Sequence, residues 1–225
     1  MKRPKFILVL SVALVLLLGV ALQKYFFKSW TPYYQEKLYQ APRPLLVKAL
    51  SLIKISATKT KMVLDLGAGA GNDTAYLLQN GWQVWAEDAE AEAIKVIAER
   101  TDLASYKNNL TLLHKSFVEI PWAQLPKFDL IYASYALPFA HHKDFFKIWQ
   151  QIVNDLPVGG LFVGSFFGPD HQAFNWWTKR KMTLVSKAQL QEMLQDFKIE
   201  LLEESHEKDD RGIFDHSFNV IARKC

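Results

Sequence analysis

Asp65, Gly67, Gly69 and Gly71 stand in the run Val63-Leu-Asp-Leu-Gly-Ala-Gly-Ala-Gly-Asn-Asp-Thr74. Glycines at alternate positions after an apolar stretch mark a tight turn where the backbone itself can approach a ligand. The helix-compatible residues that follow offer free N–H groups at their first turn. A phosphate cradle has no use for the negative charge at Asp65, whereas a cationic or amino-bearing ligand does. The dinucleotide fingerprint G-x-G-x-x-G differs in spacing, and here Asn72 stands where its third glycine would fall. Asp88, 17 residues beyond Gly71, ends a second strand-like run, Gln83 to Glu87. A carboxylate there can accept hydrogen bonds from both hydroxyls of a ribose, and Glu87 competes for this role if the register slips by one. Together these residues suit a nucleoside carrying positive charge, with Asp65 near an amino group or ordering the glycine loop.

On these residues the chain resembles the class I S-adenosylmethionine-dependent methyltransferases, whose first motif is a strand, an acidic residue and G-x-G-x-G. Three later stretches resemble small bacterial methyltransferases near the tellurite-resistance, TehB-like group. They are Phe128-Asp-Leu-Ile-Tyr-Ala-Ser-Tyr-Ala-Leu-Pro-Phe139, Pro157-Val-Gly-Gly160 and His216-Ser-Phe-Asn-Val-Ile-Ala-Arg-Lys224. The resemblance implies a Rossmann-like, doubly wound α/β fold, with a seven-stranded, mostly parallel sheet and an antiparallel last strand. It implies S-adenosyl-L-methionine as cofactor, with the loop Gly67, Ala68, Gly69 and Gly71 against its amino-acid part. Asp88 and the following Ala89 would meet the ribose, and Asp73, in a Gly-Asn-Asp segment shared with relatives, the upper face. Many relatives place an acidic or polar group against adenine after the third strand. Here Lys115-Ser116-Phe117 stand instead, leaving Ser116 or Phe117 for that contact. Ligands of open α/β sheets sit at the topological switch point, so Tyr132 to Phe139 should border the methyl group.

Methyl transfer from a sulfonium needs positioning more than an enzymic nucleophile. Should a base be required, Tyr135, His171 and His216 are the candidates, with His216 favoured by the resemblance. The neighbours His141-His142 have no acidic or cysteine partner set by spacing, so no metal site is expected.

The elements that must hold these residues follow from the patterning. Strands are expected at Val63 to Asp65, Gln83 to Glu87, Leu110 to His114, the start of the Phe128 run, Leu161 to Phe167, Ile199 to Ser205 and Ser217 to Ala222. Helices are expected at Asn72 to Asn80 before Gly81, Glu90 to Arg100, Asp144 to Asp155, and from the capping box Ser186-Lys-Ala-Gln189 to about Asp196. In the Asp144 helix, Phe145, Phe146, Trp149 and Ile152 are helix-spaced and expected in the core. Gly168-Pro-Asp-His171 forms a further upper-face loop, with Trp176 and Trp177 behind it, and Glu207 to Gly212 a charged turn. Thr31 to Ile53 reads as two helices, with Thr31 as N-cap and a break at Pro42-Arg43-Pro44. By resemblance to relatives it forms a lid to which Tyr33, Tyr34 and Arg43 belong.

Composition bounds the remainder. The chain has 225 residues, 50% hydrophobic and 13% aromatic, ample for one α/β domain. The charge of +4 comes partly from Lys2, Arg3 and Lys5, and no dense basic block points to nucleic acid. Cys225 is the single cysteine, which excludes an intramolecular disulfide and a cysteine metal site. Phe6 to Leu22 is apolar except for Ser11, near the lower limit for a membrane span. It reads as a single-pass anchor or, by Gly19-Val20-Ala21, as a signal peptide. Interleaved Lys24, Tyr25, Phe26, Phe27, Lys28 and Trp30 suit a membrane interface and favour the anchor.

The expected organisation is an anchor over 1–24, a helical lid over 25–60 and a methyltransferase domain over 61–225. Lysines and arginines on the two sides of the span nearly balance, and the cytosolic origin of the cofactor places the domain on that side. The leading expectation is a membrane-anchored methyltransferase acting on a small or lipophilic molecule. A noncatalytic, membrane-tethered binding module is the alternative. Aminopropyl transfer is a narrower one, lacking the extra acidic groups it would want.

Overall fold

A computed structural model describes residues 30–53, 61–172, 182–208 and 214–225. The proposed membrane segment, Trp176, Trp177 and much of the charged turn after Glu207 lie outside the described residues. Among the described residues no helix is long and apolar enough to cross a membrane.

Among the described residues seven strands form one sheet: β1 Met62–Leu66, β2 Gln83–Asp88, β3 Leu110–His114, β4 Leu130–Ala133, β5 Leu161–Phe167, β6 Phe197–Lys208 and β7 Phe214–Lys224. Their order is β3-β2-β1-β4-β5-β7-β6. β1 to β5 pair in parallel, and β7 runs antiparallel to both neighbours. The order reverses between β1 and β4. The crevice beyond their carboxyl ends is where such sheets take ligands.

Among the described residues six α-helices of about two to four turns flank this sheet: α1 Thr31–Lys37, α2 Pro44–Ser51, α3 Asn72–Gln79, α4 Ala91–Glu99, α5 His142–Asp155 and α6 Lys187–Met193. Thr31 is the first residue of α1 and not its cap; Trp30 takes that place with no side-chain bond. The Ser186–Gln189 capping box closes reciprocally at the start of α6. Its helix then ends at Met193, short of Asp196.

Because β1, β4 and β5 are covered on both faces, nearly every residue in them is buried. One core lies where α5 and α6 pack, with Phe145, Trp149, Ile152, Phe162 and Phe166 at its centre. A second holds Leu46, Val63, Leu77, Trp82 and Val84, and a small third one Tyr34, Ala70, Ala93 and Val96. Phe146, expected in the core, is 51% exposed. Adjacent helix positions point about 100° apart, so the turn that buries Phe145 carries Phe146 outward.

Candidate active site

The glycine loop joins β1 to α3 at the switch point. Gly67 has φ 69°, and a Cβ there would come within 2.6 Å of the Ala136 side chain, so a larger residue is excluded twice. Gly71, at φ 74°, opens α3 and packs on Ile97 of α4, where a Cβ would sit 2.7 Å from that side chain.

The β2 end fastens this loop. The amide of Gly67 donates to Glu87 Oε2 (3.2 Å), that of Ala68 to the Glu87 carbonyl (2.8 Å), and that of Gly69 to Asp88 Oδ2 (2.9 Å). Asp88 Oδ1 accepts from the Glu90 amide at 2.9 Å. Asp65, 2% exposed, accepts from Thr74 Oγ1 at 2.6 Å.

These carboxyls are crowded and desolvated. Burial, reinforced by the nearby Asp73, lifts Asp65 to about 7. Burial lifts Glu87 to about 9 even though the Gly67 amide opposes it. Burial also raises Asp88 above the usual carboxylate range, against the amides it accepts. A cationic ligand beside Asp65 and Asp88 would relieve this cost, which is the physical sense in which these residues fit a sulfonium-bearing amino acid nucleoside.

On the other side of the switch point, Tyr132 Oη donates to Asp73 Oδ2 (2.8 Å), and the Arg43 amide to Asp73 Oδ1 (2.8 Å). Arg43 Nε lies 3.7 Å from Asp73 Oδ2, and its guanidinium stands 4.9 Å from the centre of the Tyr135 ring. Burial works against the charge on Arg43, but the neighbouring Tyr33 and Tyr132 oxygens and the Asp73 carboxylate outweigh it and raise its pKa. Tyr135 itself adopts φ 51°, a left-handed backbone unusual for an aromatic residue. Around it the rings form a continuous surface. Tyr135 lies 5.7 Å from Phe167, Phe139 lies 6.2 Å from Phe167 and 5.2 Å from Trp30, and Trp30 lies 5.8 Å from Tyr33. His171 stacks on Phe167 at 3.8 Å, its Nδ1 3.1 Å from Asp215 Oδ1.

Both regions line one open cavity of about 1270 Å³. Of the expected cofactor residues, Asp65, Gly67, Ala68, Gly69, Asp73, Asp88, Ala89, Ser116, Phe117 and Tyr132 stand in its wall, as do Tyr135 and His171. Gly71 does not; its side faces Ile97, so its part is to let α3 meet α4. Glu87 is also absent from the wall while Asp88 is present. His216 is turned away from the cavity. Its Nδ1 accepts from the Asp170 amide (3.3 Å) and its Nε2 faces Glu204 Oε1 (3.2 Å).

Ser134 and Phe139, within the Tyr132 to Phe139 stretch expected to border the methyl group, also line the cavity, as do Trp30, read from the sequence as a membrane-interface residue, and Phe167, read as the end of a strand. Aromatic residues serve cores and ligand walls alike, so their type carries no signal until the chain is folded. Arg43, Tyr33 and Tyr34 enter through the two N-terminal helices, and the Arg43 amide bond to Asp73 is what seats that segment on the upper face.

A family model for the methyltransferase domain matches residues 63–160. A methyltransferase of Staphylococcus carnosus (strain TM300), itself called uncharacterized, is 30% identical over 120 residues. That match covers 52% of this chain and 52% of the relative, so the chain spans about half the length of that curated protein. Among solved structures, TehB from Haemophilus influenzae superposes with a TM-score of 0.69 at 20% identity, covering 86% of this chain and 66% of TehB. The 1,6-didemethyltoxoflavin-N1-methyltransferase of Burkholderia thailandensis, solved with its substrate and S-adenosylhomocysteine, gives 0.60 at 19% identity, covering 100% of this chain and 93% of that one. The glycine loop, the strand order with its reversed β7 and the matched segment agree: residues 63–160 match the methyltransferase domain model, and the chain shares its fold with solved S-adenosylmethionine-dependent methyltransferases.

Proposed function

We propose that the protein transfers the methyl group of S-adenosyl-L-methionine to a small, lipophilic acceptor, working at the cytoplasmic face of a membrane in which residues 1–24 anchor it. The observation that carries this reading is the single cavity, carboxylates and loop amides on one side of the switch point and aromatic rings on the other. When bound, the cofactor supplies an electrophilic methyl group on a good leaving group. The chain's own residues bind and orient. Asp65 takes the amino group or holds the loop through Thr74, Asp88 takes the ribose hydroxyls, and Ser116 or Phe117 takes the adenine.

Tyr132 and Tyr135, flanking the end of β4, border the acceptor, with Asp73 fixing Tyr132 through its hydroxyl. The aromatic wall removes water from an apolar acceptor and fixes its face, a gain of positioning that suits direct displacement. His171, already oriented by Asp215, is the base available at the cavity wall. The bound 1,6-didemethyltoxoflavin of the Burkholderia enzyme supports a small acceptor, and the apolar Phe6 to Leu22 run supports the anchor. The domain meets a cytosolic cofactor only if it lies on the cytoplasmic side.

Calorimetry with S-adenosylhomocysteine tests cofactor binding. Labelled methyl incorporation into membrane and soluble extracts then tests transfer. Label appearing in a small, organic-extractable product is expected. Binding without incorporation into any fraction would favour a noncatalytic tethered module. A reporter fused after Cys225 should read cytoplasmic in intact cells, and an extracytoplasmic signal would overturn the orientation.

A further inference from the structure

A second cluster of chemistry-bearing side chains lies behind the cavity wall, where β6 and β7 meet the loop after β5. His206 and His216 are directly opposite each other in the β6–β7 ladder, so both project from the same face of the sheet. Their rings lie 4.0 Å apart and nearly parallel. Two residues before His206, and therefore on that face too, Glu204 places Oε1 3.4 Å from His206 Nε2 and 3.2 Å from His216 Nε2. Lys187 holds the other oxygen of Glu204 at 2.9 Å. From the loop, Asp170 brings Oδ2 to 3.6 Å from His216 Nδ1. One ligand atom from each of Asp170, His206 and His216 lies within 4.8 Å of the others.

We propose that Asp170, His206 and His216 form a binding site for a divalent transition-metal ion of the zinc type, with Glu204 orienting the two imidazoles. Two nitrogens and a carboxylate oxygen are donors that zinc, cobalt and nickel take readily, whereas magnesium and calcium call for oxygen sets. Three protein ligands leave a position open to water, the pattern of an exchangeable site rather than a closed structural one. Glu204 supplies what imidazole ligands usually have, a carboxylate that receives the Nε2–H and leaves Nδ1 for the ion; at His216 the ion would take the place of the Asp170 amide that Nδ1 now accepts at 3.3 Å.

The backbone is fitted to this arrangement. A Cβ at Gly168 would overlap the His216 ring, so glycine there lets the loop close over the histidine. Two ligands sit on paired strands and the third on a loop, so an ion would fasten Gly168–Gln172 to the hairpin. His171, the next residue after Asp170, lines the acceptor side of the cavity, so the fastening falls directly behind that wall.

The test uses the full, untagged chain, stripped with a chelator. Titration with Co2+ should produce visible ligand-field absorption with nitrogen–oxygen character, and Zn2+ should abolish it by displacement. Mg2+ and Ca2+ should not. His206, with a side chain 45% exposed, can be replaced without disturbing the core. His206→Ala and Asp170→Ala should each weaken Zn2+ by more than about tenfold, and Glu204→Gln by about tenfold, the usual range for an orienting carboxylate. Zn2+ should raise the melting temperature of the native chain and not that of His206→Ala. His142→Ala, on a separate histidine pair, should bind like the native chain. Unchanged affinity in both His206→Ala and Asp170→Ala would overturn the site, as would a native chain showing no cobalt absorption or a loss of binding in His142→Ala.

Discussion

The two sides of the cavity are built from different materials. Beyond β1 and β2, the wall is backbone amides and carboxylates tied to one another or to groups behind them: Gly69 to Asp88, Gly67 to Glu87, Asp65 to Thr74. Beyond β4 and β5 it is mostly aromatic rings, held to one another by edge and face contacts. Hydrogen bonds are directional and fix individual atoms, which suits a constant ligand. Ring packing is less directional and tolerates exchange of one aromatic for another, which suits a region whose occupant differs among related proteins. Arg43, Asp73 and Tyr132 connect the two, since Asp73 belongs to the helix after the glycine loop while Tyr132 ends nearly on β4.

Four substitutions or titrations break or sharpen this contrast. The largest effect is expected at Asp88, where alanine removes the acceptor for the Gly69 and Glu90 amides together with the proposed ribose contact. Affinity for S-adenosylhomocysteine should fall on the order of a hundredfold or more, since hydrogen bonds to charged groups contribute about 1.5–3 kcal/mol each. Calorimetry giving native affinity would remove the β2 end from the cofactor site.

Phe139→Ala should act on the opposite side. With the acceptor found by the extract screen, KM should rise about tenfold through lost ring contacts, while affinity for S-adenosylhomocysteine stays within about twofold. Equal losses of both would mean that the two walls are not separate.

The pH dependence of binding probes Asp65. Its carboxyl is protonated in the free protein below about 7 and must ionise to receive an ammonium group. Affinity should therefore rise with pH, by at most about tenfold per unit, and level off above that value. Asp65→Asn should flatten the slope. An affinity that falls with rising pH over the same window would contradict the assignment.

Glu87 gives the smallest effect, on stability alone. Its folded-state value of about 9 lies above the ordinary 4.5, so between the two the native state holds more protons than the unfolded chain. Stability from this residue is therefore retained at low pH and lost as pH rises through that window. Glu87→Gln should abolish the slope, giving a melting-temperature gain that grows from about pH 5 to 9, by about 2–4 °C for each kcal/mol recovered. A gain independent of pH would assign the effect to packing instead.

Legibility in the sequence follows the same division. β3 and β5 fall at their expected bounds, Leu110–His114 and Leu161–Phe167, because each is a short apolar run between turn signals. The carboxylate-and-amide wall was legible because its residues are close in sequence and their spacing has one economical meaning. Tyr135, His171 and Phe139 stand in the wall where the sequence placed them, whereas nothing in the sequence set Trp30 or Phe167 apart as wall residues. Phe146 shows the reverse failure, a ring assigned to the interior that the helix turns outward.

By itself the sequence determined the alternation of strands and helices, the glycine turn with its flanking carboxylates, and the class of ligand that such a turn accepts. These are local matters, set by backbone sterics and side-chain period over a dozen residues. Only the tertiary structure decided that Asp88 and not Glu87 faces the cavity, that Arg43 reaches Asp73, and that His216 turns from the cavity toward His206, Glu204 and Asp170. Those outcomes depend on strand register and on loops packed across residues far apart in the chain, and no spacing within the sequence encodes the meeting of positions 170, 206 and 216.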